Sequence, residues 1–402
     1  MFHDIVTIFR LTKGNLGLII ETNKLQDRGE HSMRVILTGG GTGGHIYPAV
    51  AIGKAIQKEW SNSEILYVGT KSGLESKIVP EVGFPMATID VIGWQRKISI
   101  QAIKAGWKAI KSFWDSRKLI RKYSPQLVIG TGGYVCLPVV WAAATLGIPT
   151  LIHEQNTMPG LTNKFLASRV NGVLLTFPES KKYFSAKLKN RLYVTGLPVR
   201  ASILQIEREE GLKHLGFSSK KITLLGIGGS RGAKSINNAM LHVCKKFKGD
   251  PRLQILHITG QAGYSKFCTK LRKAGINVVE NGNLIIKPYL NDMGYALACT
   301  DLCVGRAGAT FLSEMTIKGI PGILVPYPYA TENHQEYNAR TLVKDGAAEI
   351  ILDKEITGES LLEAIENIIF DEEKLKIMAE KSKKAGKPEA IREIIQIIKK
   401  FI

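Results

Sequence analysis

Twice in this chain a short aliphatic run ends in a cluster of glycines and resumes as a helix-period pattern. The first instance is Arg34 to Thr38, then Gly39-Gly40-Gly41-Thr42-Gly43-Gly44-His45, then Ala49, Val50, Ile52, Ala55 and Ile56 at helical spacing. The second opens at Ile222 and continues Leu224-Leu225-Gly226-Ile227-Gly228-Gly229-Ser230-Arg231-Gly232-Ala233. A strand that feeds a helix through so tight a turn is followed by a parallel strand, because the helix packs back on the sheet it left. Glycines in the turn let backbone N–H groups approach a phosphate or sugar closely, and the helix N-terminus adds partial positive charge. The expected fold is therefore α/β, with two Rossmann-like domains facing across a cleft and an anion loop in each.

Strands predicted at 34–38, 64–68, 85–89, 126–130, 149–152, 172–175 and 191–194 alternate with helical patterns, which implies a mainly parallel sheet covered on both faces. Tyr134 to Ile152 carries no charge over 19 residues, the length of a membrane span, but Pro138, Gly147 and Pro149 divide it into a buried helix and a strand. The pattern lapses through Gly196-Leu197-Pro198-Val199-Arg200 and the charged segment Glu207 to Lys213. The expected organisation is an N-terminal domain over 33–196, an interdomain crossing over 197–220, a C-terminal domain over 221–386 and a last helix over 387–402. Ile391, Ile394, Ile395, Ile397, Ile398 and Ile402 give that helix an apolar face that needs a partner, expected to be the first domain. Residues 1–32 do not conform: Asp4, Arg10 and Lys13 break their apolar pieces, so neither a signal-peptide core nor a span results. Met33 is the expected natural start, with a mistranslated leader before it.

Gly39, Gly41 and Gly44 also satisfy the dinucleotide fingerprint, but that fingerprint wants an acid at the end of the second strand, and here the strand ends Gly69-Thr70-Lys71. An NAD-linked oxidoreductase is rejected on that ground. His45 instead puts a titratable ring at the mouth of the anion site, as a base or as a residue that orients substrate. The 55 Lys and Arg against 35 Asp and Glu give a net charge of +20, which favours anionic partners. Cys136, Cys244, Cys268, Cys299 and Cys303 are odd in number and lack a C-x-x-C pair, arguing against a disulfide framework or zinc site. Cys299 and Cys303 are four apart and could share a helix face, with buried packing the expectation.

Two further loops follow predicted strands of the first half, Gly130-Thr131-Gly132-Gly133-Tyr134 and His153-Glu154-Gln155-Asn156. Both are expected at the carboxyl edge of the sheet, where open α/β sheets bind ligands, with the second presenting four polar side chains there. In the second half, Cys303-Val304-Gly305-Arg306-Ala307-Gly308 leads into a helix carrying Glu314 in its second turn. A carboxylate there suits the two vicinal hydroxyls of a ribose, and Gln335 and Asn338 suit the hydroxyls of a sugar.

In order, Gly-Gly-Thr-Gly-Gly-His, Gly-Gly-Tyr, His-Glu-Gln-Asn, Gly-Leu-Pro-Val-Arg, Gly-Gly-Ser-Arg-Gly-Ala, the Gly308 to Glu314 run and His334-Gln335 resemble the MurG family. These are membrane-associated N-acetylglucosaminyltransferases of peptidoglycan synthesis, in the GT-B class and family 28-like. The resemblance runs from Met33 to the C-terminus. It implies transfer of GlcNAc from UDP-GlcNAc to the C4 hydroxyl of undecaprenyl-pyrophosphoryl-MurNAc-pentapeptide (lipid I), with inversion, no cofactor and no bound metal. It further implies donor contacts from Thr42, Gly43, Gly44, Asn156, Arg200, Ser230, Leu290, Ala309, Thr310, Phe311, Leu312, Ser313, Glu314 and Gln335. Leu290 stands where the family usually shows Ile, and Arg231 where it often shows Gln. Gly41, Gly132, Gly133 and Tyr134 are assigned to the acceptor pyrophosphate, His45 to the base and Glu314 to the ribose. A glycolipid synthase or a UDP-sugar epimerase of the same class is the alternative, and a basic nucleic-acid-binding protein is disfavoured.

Ile100, Ile103, Trp107, Ile110 and Trp114 recur at three- and four-residue spacing, amid nine cations between Arg96 and Lys122 and the single acid Asp115. Such a stripe is either the core-facing side of a sheet helix or an interfacial helix with Trp at headgroup depth and Lys toward anionic lipid. Membrane contact is expected from Ile100, Ile103, Lys104, Trp107 and Lys108, at the cytoplasmic face of the bacterial membrane.

Overall fold

Near-continuous aliphatic runs become central strands because a parallel strand is covered on both faces. In the computed structural model Val35, Ile36 and Leu37 are fully buried, and their strand lies in the middle of its sheet. The structure describes residues 33–91, 100–229, 232–276 and 282–402, with backbone alone for 100–109. The leader expectation for 1–32, the Trp94 to Lys97 portion of the basic stretch, Ser230 and Arg231 lie outside the described residues, as do the side chains of Ile100, Ile103, Lys104, Trp107 and Lys108.

The first sheet is formed by β1 (Arg34–Thr38), β2 (Glu64–Gly69), β3 (Met86–Thr88), β4 (Leu127–Gly130), β5 (Thr150–Glu154), β6 (Gly172–Leu175) and β7 (Leu192–Val194). All pair in parallel, in the order β3-β2-β1-β4-β5-β6-β7. The second sheet comprises β8 (Ile222–Ile227), β9 (Leu253–Ile258), β10 (Leu284–Lys287), β11 (Leu302–Gly305), β12 (Gly322–Leu324) and β13 (Ala348–Ile350). It too is wholly parallel, in the order β10-β9-β8-β11-β12-β13. Two apolar clusters line each sheet, one per face, as helices on both sides require. The protein is therefore two parallel-sheet Rossmann-like domains, and residues from Met33 onward cluster as one compact unit.

Residues at the crossing fold rather than trail. The short helices Ala201–Gln205 and Arg208–Leu215 pack on Met293–Ala298, and Ile203, Leu212 and Phe217 join the core of the second domain. The last helix, Ala390–Ile398, packs on Gly43–Glu59, and Ile394, Ile395, Ile397 and Ile398 join the core on one face of the first sheet. The uncharged stretch resolves into the helix Cys136–Thr145 and β5. Cys299 caps a helix whereas Cys303 lies in β11, so they share no helix face, and both are buried.

Candidate active site

In an open doubly wound sheet, loops diverge where the strand order reverses, and the crevice between them at the carboxyl ends is where ligands sit. The first sheet reverses between β1 and β4, so the crevice is flanked by the Gly39–Thr42 turn and the Thr131–Tyr134 turn. In the second sheet it falls between β8 and β11, flanked by the turns that follow Ile227 and Gly305. All four glycine-bearing loops singled out by sequence thus sit at the two switch points.

His45 is in the first turn of the helix Gly43–Glu59, not in the loop before it. Its Nδ1 lies 3.0 Å from the Thr131 carbonyl and 3.0 Å from Gln155 Oε1. Both partners can only accept, so Nδ1 carries a proton, and in the neutral ring it is Nε2 that keeps the lone pair a general base needs. The close approach depends on Gly132: its φ is +105°, and a Cβ there would stand 2.8 Å from His45 Nδ1. Gly133 is also left-handed, and a Cβ on it would strike the Gly40 carbonyl. Thr42 and Gly44 are exposed, and Gly43 and Tyr134 half-buried, around the same mouth. Gly41 differs from expectation, because its N–H already donates to Glu75 Oε2 at 3.3 Å. Glu75 is fully buried and also accepts from the Thr70 N–H and hydroxyl. It organises the glycine turn, and nothing in its local sequence signals that.

The His-Glu-Gln-Asn segment was expected to present four polar side chains at the edge, but three of them turn inward. His153, Glu154 and Gln155 are at most 2% exposed, leaving Asn156 half-buried at the rim. Glu154 accepts from the N–H of Asn156 at 2.9 Å, from Gly160 N–H at 3.0 Å and from Asn163 Nδ2 at 2.8 Å, which ties the loop into a fixed turn. Burial holds His153 down to about 4, so it is neutral.

Across the cleft, Asn338 was expected to meet a sugar but is fully buried. It accepts from Thr157 N–H at 2.8 Å and donates to Asn156 Oδ1 at 3.1 Å and to the Ala307 carbonyl at 3.2 Å. Its amide is committed to joining the loop after β5 to the loop after β11, so the two carboxyl edges meet. His334 confirms the proximity: burial lowers its pKa, the Thr331 carbonyl and Glu154 pull it back up, and His45 lowers it further.

On the second domain, Gly308 caps the helix Ala309–Ile317, and the N–H groups of Ala309, Thr310 and Phe311 have no intrahelical partner by helix geometry. Ser313 lies one turn on. Leu312 is engaged elsewhere, its side chain buried in the core and its N–H bonded to the Gly308 carbonyl. Burial raises the pKa of Glu314, and Arg200 opposes this through contacts from Nε at 3.1 Å and Nη2 at 3.0 Å, both to Oε1. Two residues singled out separately are thus a pair that ties the crossing to the second domain. Gln335 accepts the Tyr327 N–H at 2.9 Å, which leaves its amide nitrogen as a donor, and Leu290 follows β10 and packs on the second domain's core. Among the described residues no cluster of three or more metal-ligating side chains occurs.

The family model for the glycosyltransferase family 28 N-terminal domain matches residues 35–175, and that for the family's C-terminal domain matches 223–394. A relative from Desulforamulus reducens, a UDP-N-acetylglucosamine--N-acetylmuramyl-(pentapeptide) pyrophosphoryl-undecaprenol N-acetylglucosamine transferase, is 52% identical over 370 residues, covering 92% of this chain and 99% of the relative. A protein of the same name from Desulfitobacterium hafniense strain Y51 is 49% identical, covering 91% and 98%. The crystal structure of MurG from Acinetobacter baumannii superposes with a TM-score of 0.75 at 28% identity, covering 92% of this chain and 99% of that one.

Proposed function

The chain belongs to glycosyltransferase family 28, and from that premise we propose that it transfers N-acetylglucosamine from UDP-GlcNAc to the C4 hydroxyl of undecaprenyl-pyrophosphoryl-MurNAc-pentapeptide, giving lipid II. The observation that carries the mechanism is the His45 ring, with Nδ1 held by two acceptors at 3.0 Å. As the bond from anomeric carbon to diphosphate breaks, Nε2 takes the proton of the attacking hydroxyl. Negative charge grows on the departing diphosphate, where the orphan N–H groups of Ala309, Thr310 and Phe311 and their helix dipole stabilise it without rearrangement. Attack from the acceptor side inverts the anomeric centre and needs no covalent carboxylate. Thr42, Gly43 and Gly44 line the first-domain mouth, with Asn156 and Gln335 as amide donors toward the sugar. Gly132, Gly133 and Tyr134 serve the acceptor pyrophosphate. Gly41 joins them only through its carbonyl or by giving up its bond to Glu75. Turnover of UDP-GlcNAc that requires the lipid acceptor supports this reading, whereas epimerisation of the free sugar nucleotide would refute it.

Glu314 is assigned the ribose, with Arg200 opposing the rise that burial imposes on its carboxyl. Glu314→Ala is expected to weaken UDP binding by about tenfold or more, the loss of a hydrogen bond to a charged group, with kcat nearly kept at saturating donor. Titration calorimetry with UDP measures this. Turnover lost with UDP affinity intact would make Glu314, or a water it activates, the base.

A membrane surface on the first domain is supported by side chains that the sequence stripe only partly contained. Ile110 and Trp114 are 57% and 56% exposed while Ile120, on the same helix, is buried, so the described part of the stripe is not core-facing. Trp141 and Phe165, from two neighbouring helices, extend it: the Phe113 and Trp141 rings meet at a 53° tilt with centroids 5.0 Å apart, and Trp141 and Phe165 meet edge-on at 5.5 Å. Arg117 sits 6.0 Å over Trp114, and Arg169 3.8 Å over Phe165. Aromatic rings with guanidinium groups at their faces suit the headgroup layer of an anionic leaflet, here the cytoplasmic one. Among the described residues no helix is long and apolar enough to cross a membrane. Ile110→Glu combined with Trp114→Glu is expected to weaken sedimentation with anionic vesicles by about tenfold or more, through lost apolar insertion and added repulsion. Unchanged binding by a folded double variant would remove this surface from the account.

A further inference from the structure

We propose that Gln155 and His153 are a positioning unit that, together with the Thr131 carbonyl, sets the tautomer of His45 and is anchored at the start of the interdomain crossing. The inference rests on the reading of His45 as the base and adds how the chain keeps that base in its reactive form.

The argument is one of donors and acceptors. Gln155 Nε2 lies 2.7 Å from the Thr131 carbonyl and 3.1 Å from the His153 carbonyl. Carbonyls can only accept, so the amide nitrogen faces them and Oε1 is left toward His45, 3.0 Å from Nδ1. At the other end, His153 Nε2 is 3.0 Å from the Gly196 carbonyl and donates to it. A neutral imidazole that donates through Nε2 accepts at Nδ1, and His153 Nδ1 is 3.2 Å from Gln155 Nε2. Burial keeps His153 neutral, which allows only that arrangement.

The protons are therefore assigned at three carbonyls: Thr131 and His153 orient the Gln155 amide, Thr131 and Gln155 hold the His45 Nδ1–H, and Gly196 fixes the tautomer of His153. Gly196 is itself fixed: its N–H donates to Leu175 O at 3.1 Å, its φ is +82°, and a Cβ on it would strike Lys387. It stands where the first domain hands over to the crossing, against the segment that leads to the last helix. A rotation of the crossing that moved this carbonyl would free the His153 tautomer, and a proton then placed on its Nδ1 would oppose the amide N–H of Gln155 3.2 Å away. Both linking side chains are buried, His153 fully and Gln155 to 2% exposure, so water does not substitute for either. Neither touches the cleft, and both act through His45.

The test is the tautomer itself, read by nitrogen–proton correlation on the folded full chain labelled at histidine nitrogen, with the His45 signals identified by their loss in His45→Ala. The wild type is expected to show Nδ1 as the protonated nitrogen. Gln155→Met keeps the shape and removes both amide functions. With the Thr131 carbonyl left as the one acceptor at His45 Nδ1, it is expected to shift the His45 signals part of the way toward the mixed-tautomer average and to lower kcat about tenfold, with KM for UDP-GlcNAc within about twofold. His153→Phe, which removes the ring acceptor beside the amide and leaves the two backbone carbonyls, is expected to move the same signals in the same direction by a smaller amount and serves if Gln155→Met fails to fold. A folded variant of either kind that keeps the wild-type tautomer overturns the proposal. Mixed tautomers in both variants, together with a His45→Ala enzyme that keeps its kcat, would instead sustain the positioning unit and overturn the base assignment.

Discussion

His45→Ala is expected to lower kcat by about a hundredfold or more while UDP-GlcNAc binding stays nearly intact. A positioned general base contributes roughly two to four orders of magnitude, and alanine removes the ring that takes the hydroxyl proton. The separation from binding follows from position. His45 belongs to the first-domain mouth, whereas the orphan N–H groups and the Glu314–Arg200 pair belong to the second domain and the crossing. Steady-state turnover of lipid acceptor alongside UDP titration resolves the two effects. A variant that keeps kcat would hand the proton to another group, with Glu314 the first to test.

Truncation before Ala390 is expected to unfold the first domain, from which the removed helix is far away in sequence. The helix contributes Ile394, Ile395, Ile397 and Ile398 to a core shared with Ile46, Ile52 and Ile56, and Lys399 pairs with Glu59. At about 1.5–3 kcal/mol for each buried aliphatic side chain, four of them come to about 6–12 kcal/mol as an upper bound, as large as the whole stability of a typical domain. Differential scanning calorimetry is expected to show the first-domain transition lost or lowered by tens of degrees, with that of the second domain less affected. Ile394→Asp is expected to act in the same direction by burying an unpaired charge. A melting profile like that of the full chain would show that the first domain does not need this helix.

Much of the architecture was legible because its signals are local. A parallel strand reads as an aliphatic run, so β1 was expected at 34–38 and is Arg34–Thr38, and β6 was expected at 172–175 and is Gly172–Leu175. Glycines that need positive φ, such as Gly132 and Gly133, marked the turns at the switch points. The place of His45 beside the Thr131–Tyr134 turn was not legible, although its position at the start of a helix after a glycine turn was. The family was legible from blocks that keep their order along the chain.

What the sequence by itself determined is which segments are strands, which turns between strand and helix are glycine-built and which chemical groups stand beside them, because these depend on periodicity and backbone conformation within a few residues. Only the tertiary structure decided which polar side chains face the cleft. Gln155 meets a ring 110 positions away and Asn338 a loop 182 positions away, and each spends its hydrogen-bonding capacity there. Glu75 does the same at 34 positions, taking an N–H that the sequence had assigned to a ligand. A polar residue beside a strand end has the same local pattern whether it points into the crevice or is buried beneath it. The choice is made by the donors and acceptors that arrive from other elements, since a buried polar group is stable only where they satisfy it.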